Sequence, residues 1–356
     1  MRACVTVLLL TTLVVLCSPA AARAAERPMK IGFVYVSPVG DAGWSYAHDV
    51  ARRKLGMDPA NITYLAESIA DGPDAEGVIR RMSKSGYDII ITTSFNYMDT
   101  TLKVAADFPD ITYLHCSGYK TAPNMSNFFG RIHQARYLSG LVAGGMTRSN
   151  RIGFVAAHAI PEVIRGINAF TLGVRASNPA AEVHVIWTNT WYDPILERNA
   201  TLKLVKGGAD VIAQDQDSPT PQVTAQECGV YSVGYNSDMS SHAPQAHLVA
   251  AVWDWSVFYQ DVVDRVRAGT WKSGSYWPGI ETGIVDISSF GPMVPPVIRG
   301  NTLARRQEII DGELVVFQGP VLDNQGGLRI PEGAAPTDKE LLEMDWLVQG
   351  VVTETE

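Results

Sequence analysis

The sequence predicts an α/β protein of two lobes, each a mostly parallel sheet flanked by helices. Three observations carry the α/β part. Continuous apolar runs such as "YDIIITT" and "RIGFVAA" alternate with segments that are apolar at helical spacing, such as "DAEGVIRRMSKSG". Runs without polar alternation suit strands buried on both faces, as in a parallel sheet covered by helices. The pattern restarts near residue 128, and the chain, at 356 residues, exceeds what one hydrophobic core comfortably serves.

The elements follow in order. "KIGFVYV" leads to a helix from about Ser45, and "NITYLAE" leads to a helix closed by Gly86. "YDIIITT" precedes a helix ending at Phe108, "ITYLHCS" is a fourth strand, and "NMSNFFG" reads as a break. The restart brings helix "HQARYLSGLVAGGM", strand "RIGFVAA", helix "PEVIRGINAFTLGVRA" and strand "EVHVIWT". A helix at about 194–207, strand "ADVIAQD", a helix to about Cys228, and strands "VYSVGY" and "HLVAAVW" complete the pattern. From Trp255 a helix runs to Gly269, and the tail after Gly274 is rich in Pro and Gly. The expected division is 25–127 plus about 253–275 in an N-terminal lobe. Residues 128–252 plus part of 276–356 form the C-terminal lobe.

Residues 1–24 have the layout of a secretory signal: Arg2, an apolar stretch from Val5 to Leu16, then small residues with Ala22 and Ala24 at a cleavage site. Cys17 offers an alternative, a lipid-anchored form, although Leu16 stands where lipoprotein signals usually have a small residue. The expected location is therefore the periplasm. The net charge of −8 argues against nucleic-acid binding, which rests on neutralising phosphates. The chain is expected to work as a monomer, with Cys116 and Cys228 as separate thiols.

Open α/β sheets bind ligands at the carboxyl ends of their strands, so the residues collecting there are the site candidates. Trp44 follows the first strand, set in Gly40-Asp41-Ala42-Gly43, where the glycines permit a close backbone approach. The third strand ends at Phe95, and the fourth at Ser117 and Tyr119. The second lobe adds Trp191, Asp215, Asp217, Asn236 and Asp238, and the last crossing adds Trp253 and Trp255. Flat aromatics interleaved with carboxylates and amides suit a small, uncharged heterocycle stacked between rings and read at its edges. Sugar-binding proteins also stack aromatics, but the scarcity of basic residues at these strand ends favours the heterocycle.

No catalytic residue is assigned. H-E-x-x-H, C-x-x-C, G-x-S-x-G and G-x-x-x-x-G-K are all absent, and the seven histidines are scattered without metal-ligand spacing. A hydrolase using Asp215, Asp217 or Asp238 would lack both metal and nucleophile, so neither metal nor cofactor is expected. His48, one turn after Trp44, reads as a packed or solvated residue rather than a ligand contact.

Several segments taken together resemble the basic membrane protein family of ABC-transporter substrate-binding proteins, whose best-known members are purine-nucleoside receptors. "GDAGWS" is similar to the family's D-x-S-F-N turn, matching Asp41 to its aspartate and Trp44 to its base-stacking phenylalanine. "VAADFPDITYLHCSG", "RIHQARYLSGLVAGGMTRSNRIGFVAA" and "WYDPILERNATLKLVKGGADVIAQ" resemble three further family blocks. The resemblance implies the two-lobed periplasmic-binding-protein type I fold and an extracytoplasmic receptor that closes on its solute and delivers it to a membrane permease. Its departures bear on the ligand. Ser117 stands where the family has a purine-reading aspartate, Asn236 replaces a ribose-binding carboxylate, and Trp253 aligns roughly with a lysine near the ribose. These imply a free purine base, adenine-like or oxopurine, ahead of a nucleoside.

Overall fold

The computed structural model describes residues 27–40 and 42–354. The expected signal segment, Cys17 and Asp41 lie outside the described residues. Strands β1 (Met29–Val34), β2 (Asn61–Ala66), β3 (Ile89–Thr92), β4 (Thr112–Cys116) and β5 (Met125–Phe128) alternate with helices α1 (Trp44–Leu55), α2 (Pro73–Lys84) and α3 (Met98–Asp107). Helix α4 (Ile132–Met146) opens the second unit. It precedes β6 (Arg151–Ala156), α5 (Pro161–Ser177), β7 (Glu182–Trp187), α6 (Pro194–Lys206), β8 (Val211–Asp215), α7 (Thr220–Glu227), β9 (Tyr231–Asn236) and β10 (His247–Trp253). The chain continues through α8 (Ser256–Arg267), β11 (Ser275–Tyr276), β12 (Val285–Ile287), α9 (Pro296–Ile310), β13 (Val321–Leu322), β14 (Leu328–Ile330), α10 (Asp338–Leu342) and β15 (Val351–Thr353).

The first sheet has the order β11-β5-β4-β3-β1-β2 and is parallel throughout. The second has the order β12-β10-β9-β8-β6-β7-β15, and β12 is its antiparallel edge. Strand β3 is buried at every residue and β6 at all but its first, as double-sided coverage requires. The chain passes between the sheets after β5, after β10 and again between β11 and β12.

Two elements depart from the expected order. "NMSNFFG" contains a strand rather than a break. Its four-residue β5 carries Ser126 and Asn127, which keep it from reading as an apolar run. The tail also holds a 15-residue helix, α9, whose first residue is Pro296 after Pro295. Proline suits the first helical turn because its missing N–H is unneeded there, so prolines in this Pro- and Gly-rich tail mark a helix start.

Strand order changes direction beside β1 in the first sheet and beside β6 in the second. Ligand crevices form at such switch points, here the loops leading into Trp44 of α1 and into Glu162 of α5.

Candidate functional site

The first switch point places Trp44 at the start of α1, where its indole N–H donates to the carbonyl of Thr93 beyond β3. His48 and Trp255 meet Trp44 edge-on at centroid distances of 4.5 and 5.5 Å, and Trp253 does so at 5.8 Å. Trp253 and Trp255 stack on each other at 4.3 Å with planes 15° apart. This aromatic bed answers why so large a residue sits in a glycine-rich turn. The glycines let the turn pass close to its neighbours, while the bed holds the indole at the mouth of the gap between sheets. His48 is fully buried, stacks on Trp255 at 4.5 Å and shares a 2.6 Å hydrogen bond with the Tyr259 hydroxyl. It is a packed residue, and burial drives its imidazole well below the usual histidine range.

A cleft with an empty volume of about 350 Å³, part of it open to solvent, lies between the carboxyl ends of the two sheets. Val36, Trp44, Thr93, Ser94, Phe95 and Ser117 line it from the first sheet. Glu162, Trp191, Asp215, Asp217 and Tyr235 line it from the second. The structure thus brings together Trp44, Phe95, Ser117, Trp191, Asp215 and Asp217 of the sequence-predicted set.

The remaining predicted residues lie elsewhere. Trp253 and Trp255 form the bed beneath Trp44 rather than the cavity wall. Asn236 is fully buried, accepts from the Trp253 indole N–H at 3.3 Å and donates to the Gln216 carbonyl at 3.3 Å. It therefore braces the turn carrying Asp215 and Asp217. Asp238 accepts from the Ser240 amide at 2.9 Å in a half-exposed turn. Tyr119 is 64% exposed on an adjoining outer groove.

Contacts between the two sides close the gap. The Ser37 hydroxyl donates to Asp217 Oδ2 at 3.3 Å and pairs with the Ser45 hydroxyl at 2.7 Å. The Asp217 amide donates to the Trp191 carbonyl at 2.9 Å, joining two second-sheet loops. The Ser237 hydroxyl donates to the carbonyl of Ala42 across the gap. Ala42, Ser117 and Asn236 have φ of 62°, 64° and 70°, a region L residues seldom adopt. Such outliers are held by their surroundings and cluster at binding sites.

Three lining or supporting residues escaped the sequence reading. Arg136 on α4 is buried, donates to Asp215 Oδ2 at 2.8 Å and to the Gln214 carbonyl at 2.7 Å, and its guanidinium lies 3.6 Å from the Tyr235 ring centroid. Tyr235 precedes Asn236 at the end of β9 and faces the cavity. Glu162 stands six residues past the end of β6, in the first turn of α5. The signal for it was present in "AHAIPE" after an apolar strand. Burial raises the Asp215 carboxyl above its ordinary range, and the Arg136 charge opposes that shift. Burial, followed by the Asp215 charge, pushes the Glu162 carboxyl up to about 8 against the pull of Arg165 and a Ser117 hydrogen bond.

Among the described residues no group of three or more His, Cys, Asp or Glu side chains is arranged to hold a metal ion. Cys116 is buried and Cys228 half-buried, both as free thiols. No described helix is long and apolar enough to cross a membrane.

Residues 29–316 match the Bmp family, described as ABC transporter substrate-binding protein, PnrA-like. A purine-binding protein of Brucella abortus (strain 2308) is 40% identical over 333 residues, covering 93% of this chain and 95% of that protein. A Haloferax volcanii protein provisionally named as an ABC transporter glucose-binding protein is 38% identical over 294 residues, 82% of this chain and 75% of its own. Among solved structures, solute-binding proteins from Aeropyrum pernix and Conexibacter woesei superpose with TM-scores of 0.72 and 0.68 at 16% and 22% identity. They cover 88% and 81% of this chain, and 97% and 98% of their own. At those identities the likeness establishes the periplasmic-binding-protein type I fold. The chain belongs to the PnrA-like family of ABC transporter substrate-binding proteins.

Proposed function

We propose that this protein is the extracytoplasmic receptor of an ABC importer and captures a free purine base by closure of its two halves. The observation that carries this reading is the cavity between the sheets, walled by Trp44 and Trp191 and edged by Asp215, Asp217 and Glu162. Indole faces bind planar heterocycles whatever their substituents, at about 1–3 kcal/mol per stacked base. Carboxyl groups then select by the edge they pair with, because a wrong ligand leaves buried polar groups unsatisfied. The close lining by residues from both sheets leaves little room beyond a planar ring, which favours a base over a nucleoside. Where family resemblance implies ribose contacts, Asn236 and Trp253 are bonded to each other instead.

The purine-binding relative from Brucella supports this class of ligand, and the relative named for glucose makes a hexose the competitor to test. The only arginine touching a lining carboxylate, Arg136, is already engaged by Asp215 and Gln214, so no basic group lies open to sugar hydroxyls among the described lining residues. The receptor acts as a monomer and passes its ligand to a membrane permease. It binds rather than transforms the solute.

Isothermal titration of ligand-stripped protein with adenine, hypoxanthine, adenosine and glucose tests the proposal. A base should bind at least about tenfold more tightly than adenosine, a difference of about 1.4 kcal/mol, and glucose should give no heat. Tighter binding of adenosine or glucose would overturn the assignment. Recovery of each ligand unchanged after incubation checks the absence of turnover.

A further inference from the structure

Glu162 occupies a singular position. It lies in the first turn of α5, at the switch point of the second sheet, and lines both the central cavity and an outer apolar groove. Lys339, Leu342 and Glu343 from the C-terminal segment line the far side of that groove. Glu162 is half-buried, and the two spaces it lines account for where it is open. Ser117, just past the end of β4, lines the same two spaces from across the gap.

We propose that Glu162 meets the ligand as a neutral carboxylic acid, donating through its O–H and accepting through its carbonyl oxygen, so that the site selects heterocycles with an acceptor beside an N–H on one edge. This rests on the purine reading above and narrows it to an amidine edge, as in adenine, or a lactam edge, as in hypoxanthine. A carboxylate in the same place would instead accept from two adjacent N–H groups.

The charged surroundings support the neutral form. From β8, Asp215 faces Glu162, and the Arg136 charge on α4 is already spent on Asp215 and on the Gln214 carbonyl. Asp217 adds a second carboxylate on the same cavity wall. From β9, burial pushes the Tyr235 hydroxyl well up, and from β4 it does the same to the Cys116 thiol, so neither supplies charge. Two groups work the other way: Arg165 on the same helix, and the α5 amino end, which favours a carboxylate. Arg165 donates through Nη1 to the Leu341 carbonyl at 2.7 Å, while its buried Nε has no hydrogen-bond partner among the described residues. The sum holds Glu162 protonated at neutral pH, with its carboxyl titrating at about 8.

Glutamine copies the donor and acceptor of the neutral acid and cannot ionise, which makes the test sharp. Adenine affinity would be measured by calorimetry from about pH 6 to about pH 9, a window in which adenine keeps its protons, for wild type, Glu162→Gln and Glu162→Ala. Wild-type affinity should stay level to about pH 7.5 and then fall, approaching about tenfold per pH unit. Glu162→Gln should bind within about threefold of wild type at pH 6.5 and show no fall. Glu162→Ala should be at least about tenfold weaker at every pH. Glu162→Gln binding as poorly as Glu162→Ala, or wild-type affinity that stays level or rises to pH 9, would overturn the inference. Thermal unfolding of each variant without ligand confirms that it is folded. Failure of wild type to bind any purine would sink the functional reading itself, a result separable from these.

Discussion

The Cα of Gly43 lies so close to the main chain of Asp217 that a methyl group on it would stand 1.8 Å from the Asp217 carbonyl oxygen. Gly43 ends the turn before Trp44, and Asp217 belongs to the opposite sheet, so this approach is possible only when the halves are shut. The backbone at Gly43, with φ −86° and ψ −152°, is open to any L residue. Gly43→Ala should therefore leave each half folded but oppose closure. Overpacking of this kind costs about 1–3 kcal/mol, so ligand affinity should fall about 5- to 150-fold while the unfolding midpoint of the ligand-free protein changes little. Small-angle scattering with ligand should show the variant more extended than wild type.

The tryptophans divide into two roles that substitution can separate. Trp191 lines the cavity, is half-buried and meets His158 edge-on at 4.9 Å. Trp191→Ala should weaken purine binding by about 1–3 kcal/mol with little loss of stability. Trp253 is buried in the stack with Trp255, so Trp253→Ala should cost about 3–5 kcal/mol of stability in urea titrations. Equal stability losses for the two would contradict the assignment.

Arg136 and Asp215 form an ion pair with side chains 1% and 7% exposed. Removing one member of a buried pair strands the other charge and costs about 3–5 kcal/mol. Arg136→Met should show that loss in chemical denaturation. Asp215→Asn in the same background should recover part of the loss, because the stranded carboxylate is gone. A double variant no more stable than Arg136→Met would mean that Asp215 is not the group left stranded.

Buried histidines make the fold acid-sensitive. Burial drives His48 and His133 well below the ordinary range and takes His115 down to about 3. The unfolded chain takes up these protons near pH 6.5 while the folded chain does not, so stability falls as pH drops below that value. Glu162 acts oppositely. Its raised carboxyl gives the folded state an extra proton between about 4.5 and about 8, offsetting one histidine. The net expectation between pH 6.5 and 5 is a loss of stability that steepens as pH falls, because His158 and His247 are lowered too and the imidazoles outnumber the one opposing carboxyl. Urea midpoints measured at pH 7, 6 and 5 check it, and a level midpoint would show that these imidazoles are not held neutral.

The alternation of apolar strands and helices was legible because it is written in local hydrophobicity, and parallel sheets leave that pattern unbroken. Trp44 was legible for a related reason, since a bulky aromatic among glycines at the end of the first strand has few structural uses. Strand β5 and helix α9 were obscured by short length, polar content and flanking prolines. Glu162 was obscured because it stands six residues past the end of β6, inside the first turn of α5, where an acidic residue also serves the helix start. Arg136 was missed because a lone arginine on an apolar helix does not announce its partner.

Chain order and hydrophobic periodicity alone were enough to establish the α/β class and to name the strand ends where ligands would collect. Which of those side chains reach the gap was decided only in three dimensions. Trp253, Trp255 and Asn236 leave the same sheet edge as Asp215 and Tyr235, yet packing turns the first three into a supporting layer and the last two into the cavity wall. Sequence places a residue at the end of a strand, but the direction of its side chain depends on neighbours contributed by the other sheet.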